Sequence, residues 1–253
     1  MIELRGCRKT FASRNGPAPV LALDGVDLTV RPQEFVCLLG PSGCGKTTLL
    51  KAIAGLLTLD EGELRIDGHA VTGPGPDRAM VFQDFALLPW ADAITNVAFG
   101  LELRGVPKGT REQRALELLG AVGLEGFERH YPRQLSGGMQ QRVGLARALA
   151  MDPKILLMDE PFGALDAQTR RLLQEDLLAL LDRTSKTVVF VTHSTDEAVR
   201  LGDRVVLMTP RPGRVHSSVE VELPRPRPPD LDEVPRFAEL KGYLWHQLKE
   251  MQT

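Results

Sequence analysis

Phe35-Val36-Cys37-Leu38-Leu39-Gly40-Pro41-Ser42-Gly43-Cys44-Gly45-Lys46-Thr47-Thr48-Leu49-Leu50 runs from five apolar residues through a glycine-punctuated loop into a helical pattern. It reads as strand, phosphate cradle and helix. Gly40 to Thr47 fits G-x-x-x-x-G-K-[ST], in which glycines let backbone N–H groups turn inward around phosphate oxygens. Lys46 can reach the terminal phosphates, and the Thr47 hydroxyl can hold Mg²⁺. A glycine-rich turn preceding a lysine by chance would arise on the order of once per hundred chains of this length. The strand before and the helix after supply the context the motif needs. The candidate nucleotide cradle is therefore Gly40, Pro41, Ser42, Gly43, Cys44, Gly45, Lys46, Thr47 and Thr48.

The 253 residues, 43% of them hydrophobic, suffice for one large domain or two small ones with a substantial core. No apolar run is long enough to cross a bilayer, and Met1-Ile2-Glu3-Leu4-Arg5 lacks the layout of a signal peptide, so a cytoplasmic protein is expected. A net charge of −2 gives no basic field of the kind that drives nucleic-acid binding. Cys7, Cys37 and Cys44 show no metal-ligand spacing and are expected as reduced thiols.

On the N-terminal side, residues 2–35 alternate short β-like runs with turn material. Ile2–Leu4 is one run, Gly16-Pro17-Ala18-Pro19 a loop, and Val26–Val30 a strand with period two. Together they suggest an antiparallel flap laid beside the nucleotide. Phe11 lies there, either to stack on a purine or as an ordinary core aromatic.

On the C-terminal side, a helix from Thr47 to about Leu56 leads to a short strand at Gly62–Gly68. A buried-type strand, Ala79–Phe82, then ends in Gln83. Strand C-terminal ends are where open α/β sheets place ligands, which makes Gln83 a candidate. From about Asp92 to Ala150 the pattern is helical. Thr110 with Gln113 reads as a capping box, and Ala115, Leu118, Leu119 and Val122 form one apolar face that Gly123 closes. Leu135-Ser136-Gly137-Gly138-Met139-Gln140-Gln141-Arg142 opens another helix, with Ser136 as N-cap and bare amides at Gly137 and Gly138. That arrangement can hold an anion, or it can be a plain cap with two glycines.

Ile155–Met158 reads as a central parallel strand that delivers Asp159 and Glu160 to its end. Two adjacent carboxylates are costly there unless a cation such as Mg²⁺ meets them, which leaves Glu160 free to orient or deprotonate a water. Asp166 can cap a long helix with Leu172, Leu173, Leu177, Leu180 and Leu181 on its core face. Thr187–Thr192 is another buried strand, and His193 at its end is a candidate γ-phosphate sensor. A short helix to Leu201, a stop at Gly202 and a final strand at Val205–Met208 complete the alternating β/α pattern. Beyond Thr209, Arg211, Arg214, Arg225 and Arg227 stand among prolines as a solvated extended arm. Pro235 then starts an amphipathic helix carrying Phe237, Leu240, Leu244, Leu248 and Met251.

These residues, in this order and approximate spacing, resemble an ABC-type ATPase over nearly the whole chain. The Leu135–Arg142 string together with the phosphate loop is the most specific part. The resemblance implies an α/β fold: a P-loop NTPase (RecA-like) core with an N-terminal antiparallel β flap and an inserted helical subdomain at about 92–152. The ATPase domain would span 1–215, and 216–253 would be the Pro/Arg arm and amphipathic helix packed on the body.

The resemblance also implies that two copies sandwich two ATP molecules, Ser136, Gly137 and Gly138 reaching the nucleotide in trans. Thr47, Gln83 and Asp159 would hold Mg²⁺, with Glu160, His193, Lys46 and Gln83 catalytic and Asp166 communicating across the dimer. Residues 73–101 and 209–215 are similar to the nitrate/sulfonate/taurine importer branch. This implies a permease, indirectly a solute-binding protein, and a peripheral position on the cytoplasmic face of the inner membrane. The region around Leu88-Pro89-Trp90 is the candidate groove for a cytoplasmic helix of the permease, with Trp90 either exposed as a contact or buried in the helical subdomain. A soluble ABC ATPase uncoupled from transport is the alternative, disfavoured by the lack of a coiled-coil insertion or a second cassette.

Overall fold

The computed structural model describes residues 1–12, 18–163, 165–182 and 184–251. Gly16 and Pro17 of the expected loop, and Ala164 of the turn before Asp166, lie outside the described residues. In chain order the elements are β1 (Ile2–Phe11), β2 (Val20–Val30), β3 (Phe35–Leu39), α1 (Lys46–Ile53), β4 (Glu61–Ile66), β5 (His69–Ala70), β6 (Arg78–Val81), α2 (Ala93–Leu103) and α3 (Lys108–Ala121). There follow α4 (Gly137–Ala150), β7 (Ile155–Asp159), α5 (Ala167–Asp182), β8 (Thr187–Thr192), α6 (Thr195–Leu201), β9 (Arg204–Met208), β10 (Val215–Glu220) and α7 (Pro235–Glu250). They fall into two compact units, 1–75 with 186–253, and 76–185.

In the first unit, β2-β1-β4-β5 form an antiparallel sheet. The period-two reading of β2 holds: Val26, Leu28 and Val30 are buried, and Asp27 and Thr29 face out. A second sheet has β3 between β8 and β9, parallel to both, with Leu38 opposite Val191 and Val206. Every residue of β3 and β8 is buried, as the continuous apolar runs require of strands covered on both faces. Phe35 and Phe190 meet there at 5.8 Å between ring centroids.

Glu34, just before β3, is buried but paired with Arg204 of β9 at 2.7 Å and with Arg31 at 3.1 Å. Burial alone would push its carboxyl up, but these hydrogen bonds outweigh it and hold the group below the usual carboxylate range. The sheet does not end at β9. β10 pairs antiparallel with β9, so the strand set runs one further than expected and β10 spans the anticipated boundary at 215/216. On α7 the buried residues are Phe237, Leu240, Leu244 and Leu248, as the period implies.

The arginines expected on a solvated arm are engaged instead. Arg214 pairs with Asp24, Arg211 donates to the Gly43 carbonyl, and Arg225 and Arg227 donate to main-chain carbonyls at the end of α6. A guanidinium on an extended segment finds carbonyl partners that no local pattern reveals.

In the second unit, β6 and β7 are parallel, with Met80 opposite Leu157. β7 is fully buried, whereas Ala79 and Met80 of β6 are only half-buried, because β6 is paired on one side only among the described residues. The capping box at Thr110 is not formed. Pro107 occupies the N-cap and α3 begins at Lys108, which places Thr110 inside the first turn with no side-chain cap. The closing glycine is as expected, with Gly123 at φ 69°. On α5 the buried stripe is Leu173, Gln174, Leu177, Leu178 and Leu181, whereas Leu172 is exposed and Leu180 half-buried. Residues 173, 177 and 181 define the line, and 174 and 178 flank it on the side away from Leu172.

Asp92 caps α2 by accepting from the Thr95 amide at 3.0 Å and pairs with Arg129 at 3.3 Å. Burial would raise its carboxyl, but these hydrogen bonds outweigh it and hold it low. Asp92→Ala should therefore cost about 1 kcal/mol near neutral pH, whereas Thr110→Ala should change stability by less than about 0.5 kcal/mol. The folded carboxyl titrates below the unfolded one, so the Asp92 contribution is present above the unfolded value of about 3.9 and is lost as pH falls through the folded value. Urea unfolding of both variants across this range checks both statements.

Candidate nucleotide site

In the first unit, β3 is held on both sides and releases the chain at Gly40. The loop from Gly40 to Gly45 then turns into α1, whose N-cap is Gly45 at φ 101° with no side-chain cap. Gly43 is also left-handed, at φ 75°. A Cβ on Gly45 would stand 2.8 Å from Leu23 Cδ2 and 2.9 Å from the Ala22 carbonyl oxygen, so glycine is required for space as well as for φ. The first-turn amides of α1 have no intrahelical acceptors, and no acidic residue occupies that turn. The result is a positive helix end built to take an anion.

Lys46 is buried, with its ammonium donating to the Gly40 carbonyl at 2.7 Å and the Pro41 carbonyl at 3.0 Å. It lies folded over the loop. Cys44 is buried too, and burial pushes its thiol up despite the nearby Lys46, so it fills space as a neutral group.

The β9–β10 turn braces the loop from behind, which the sequence reading missed. The Gly213 amide donates to the Ala22 carbonyl at 2.9 Å, and its own carbonyl accepts from the Asp24 amide at 3.0 Å. A side chain on Gly213 would collide with the Cys44 carbonyl, and one on Gly40 would stand 2.9 Å from the Met208 carbonyl oxygen. Arg211 Nε reaches the Gly43 carbonyl at 3.4 Å. The available signal was the Pro-Gly pair at 212–213, which marks a turn but not what it presses on.

His193 follows β8 directly and is exposed. Phe11 ends β1 opposite Val20 with its ring 40% exposed, and the Lys9 ammonium is 5.8 Å from the ring centroid. It is a surface ring and not a core aromatic.

In the second unit, β7 delivers Asp159 buried at its C-terminal end, and Glu160 follows half-buried at φ 43°. A left-handed glutamate is strained, and such strain concentrates where function needs a residue held in place. Ser136 caps α4 by accepting from the Met139 amide at 3.3 Å. Gly137 and Gly138 occupy the first two helical positions and keep their amides free of intrahelical partners. A Cβ at Gly138 would lie 2.8 Å from Thr169 Cγ2, so any larger residue has to displace that methyl. Asp166 caps α5, accepting from the amides of Gln168 at 3.1 Å and Thr169 at 3.0 Å.

Gln83 sits exposed in the turn after β6. Two further left-handed residues follow, Phe85 at φ 55° and Ala86 at φ 45°. Arg147 of α4 holds them by donating to the Phe85 carbonyl at 2.8 Å and the Ala86 carbonyl at 2.7 Å. Trp90 is 75% exposed. The turn that presents it is fixed by buried Asn96, whose side chain accepts from the Leu88 amide at 2.8 Å and donates to the Ala91 carbonyl at 2.9 Å. The sequence reading assigned Asn96 no role, although a polar residue among the apolar positions of α2 was the clue.

The ABC transporter family model matches residues 23–163. An uncharacterized ABC transporter ATP-binding protein of Methanocaldococcus jannaschii is 58% identical over 208 residues, covering 82% of this chain and 78% of its own. The taurine import ATP-binding protein TauB of Rhizobium johnstonii is 54% identical over 239 residues, covering 94% and 87%. Among solved structures, the dimeric ATP-binding cassette MJ0796 in a post-hydrolysis state bound to ADP and Pi aligns with a TM-score of 0.78 at 37% identity, covering 87% of this chain and 99% of that one. The fold is that of a P-loop NTPase. The chain belongs to the ABC transporter family, as an ATP-binding, ATP-hydrolysing cassette.

Proposed function

We propose that this chain is the energising subunit of an importer for taurine, another alkanesulfonate or a nitrate-like anion, working as a homodimer that closes around two ATP molecules. The observation that carries the dimer is the pair of separate anion-binding helix ends, at Gly45–Thr48 and at Ser136–Gly138. One nucleotide needs one such end, and the second is free to serve the nucleotide of another copy. The dimeric form described for MJ0796 supports this reading. The taurine-import relatives support the solute class.

The loop fits the ATP phosphates, since left-handed Gly43 and Gly45 and the positive N-terminal end of α1 suit an anion, and Lys46 adds a charge. Oxygen donors on Thr47, Gln83 and Asp159 suit Mg²⁺, which would neutralise charge on the phosphates. Glu160 takes the proton of the attacking water, His193 and Lys46 hold the γ-phosphate, and Gln83 reports its presence. Phe11 offers its exposed ring to the purine, and Asp166 links the two copies. No helix among the described residues is long and apolar enough to cross a membrane. The import role of the taurine relatives supports a peripheral subunit on the cytoplasmic face of the plasma membrane, with exposed Trp90 toward the permease and a solute-binding protein supplying the anion from the other side.

Glu160→Gln should keep ATP affinity within about twofold and reduce steady-state phosphate release by about 10²-fold or more. Ser136→Arg should spare ATP binding yet abolish ATP-dependent dimerisation on gel filtration together with hydrolysis; normal turnover in that variant would sink the two-copy site. Labelled taurine uptake in cells lacking the subunit should return with the native chain and not with Lys46→Ala, and uptake of neither taurine nor related anions would overturn the solute class.

A further inference from the structure

We propose that the C-terminal segment from Val221 to Met251 positions His193 for ATP hydrolysis by gripping α6 at its rear and along its flank, making Arg225, Arg227 and Lys241 positioning residues. This rests on the reading of His193 as a γ-phosphate ligand. Only His193 and Ser194 separate β8 from α6. β8 is immobilised in the sheet, so the place of α6 decides how the chain passes through His193.

The front of α6 is tied to the strand across the histidine. Thr192 Oγ1 donates to Glu197 Oε2 at 2.5 Å and accepts from the Ser194 amide at 3.0 Å, while Ser194 Oγ accepts from the Glu197 amide at 3.3 Å. Thr192 and Glu197 are both buried. The imidazole is thus left exposed on a backbone fixed immediately on either side.

At the rear, the arm supplies what a helix end lacks. The terminal carbonyls of a helix have no intrahelical donors and carry the negative end of its dipole. Here Arg227 Nε donates to the Arg200 carbonyl at 3.0 Å, Arg225 Nη2 to the Leu201 carbonyl at 2.5 Å, and Arg227 Nη2 to the Gly202 carbonyl at 2.5 Å. Two guanidinium groups therefore cap a helix of 7 residues, a length that holds no stable place by itself.

Along the flank, Arg200 is buried and bridges Asp196 at 3.1 Å and Asp232 of the arm at 2.6 Å. Lys241 of α7 reaches the same Asp196 at 2.7 Å. Both cations lie 4.8 Å from the centroid of the buried Phe237 ring. Burial would raise the Asp196 carboxyl, but Lys241 and Arg200 outweigh it and keep it ionised.

None of these arm residues belongs to the phosphate loop, so loosening them should alter turnover and leave nucleotide affinity alone. A displacement of about 1 Å in a catalytic group can cost on the order of a hundredfold in rate. In the full-length chain, Arg225→Gln with Arg227→Gln should lower kcat about tenfold or more while KM and the Kd for ATP stay within about twofold. Lys241→Met, which keeps the rear cap, should lower kcat less, again at constant KM. In single-turnover measurements the arm substitutions should add nothing in a His193→Ala background, because coupled residues are non-additive. If His193→Ala alone turns over normally, the reading of His193 fails. If His193→Ala is impaired while both arm variants show native kcat, or if the losses simply multiply, or if KM rises with the fall in kcat, the arm does not act through His193 and the inference is overturned.

Discussion

A helix that begins without a side-chain cap leaves its first amides without acceptors inside the helix, and this protein is arranged around one such end. At Gly45 the chain enters α1 with a left-handed residue and no side chain to spare for the amides behind it. The shape of the loop is imposed from outside. Buried β3 fixes where it starts, the Ala22–Leu23 stretch of β2 limits Gly45, and Met208 and Gly213 press on Gly40 and Cys44. Gly45 is therefore required twice, by backbone angle and by the absence of room for a Cβ, whereas Gly40 is required for room alone. Lys46, tethered to two loop carbonyls, keeps a cation over the same ground.

The second unit repeats the device with a difference. Ser136 satisfies the Met139 amide and thereby sets the direction of α4, while Gly137 and Gly138 remain as donors. Capping thus uses one amide of the first turn and leaves those of the two glycines as donors. Asp166 on α5 takes up the Gln168 and Thr169 amides, and on α2 Asp92 takes the Thr95 amide while the Ala93 and Ile94 amides donate to the His130 and Glu128 carbonyls.

What could be read from the sequence was whatever depends on neighbours along the chain. Strand, loop and helix at 35–50, the apolar runs of β7 and β8, the Ser136 and Asp166 caps and the Gly123 stop all follow from residues a few positions apart. The failures have two causes, a partner on another segment or a stronger local rule. Pro107 sets the start of α3 before Thr110 can cap it. β10 reads His216-Ser217-Ser218 amid prolines and arginines and becomes a strand because β9 offers an edge. Arg225 and Arg227 look like solvated charges until the carbonyls of α6 are in place. Asn96 and Gly213 serve turns that lie on other segments.

The turn after β6 stores tension. Phe85 and Ala86 are both left-handed, a state that costs each non-glycine residue on the order of 1–3 kcal/mol and persists only while something holds it. Arg147 holds it with two donations, beside the main-chain bonds from the Phe85 and Ala86 amides to the Phe82 and Asp84 carbonyls. The strained backbone of this turn is thus fastened both by its own main chain and by a side chain from another element. Because Arg147 belongs to α4, the turn that carries Gln83 and the helix that begins at Ser136 share this fastening and form one piece of the fold.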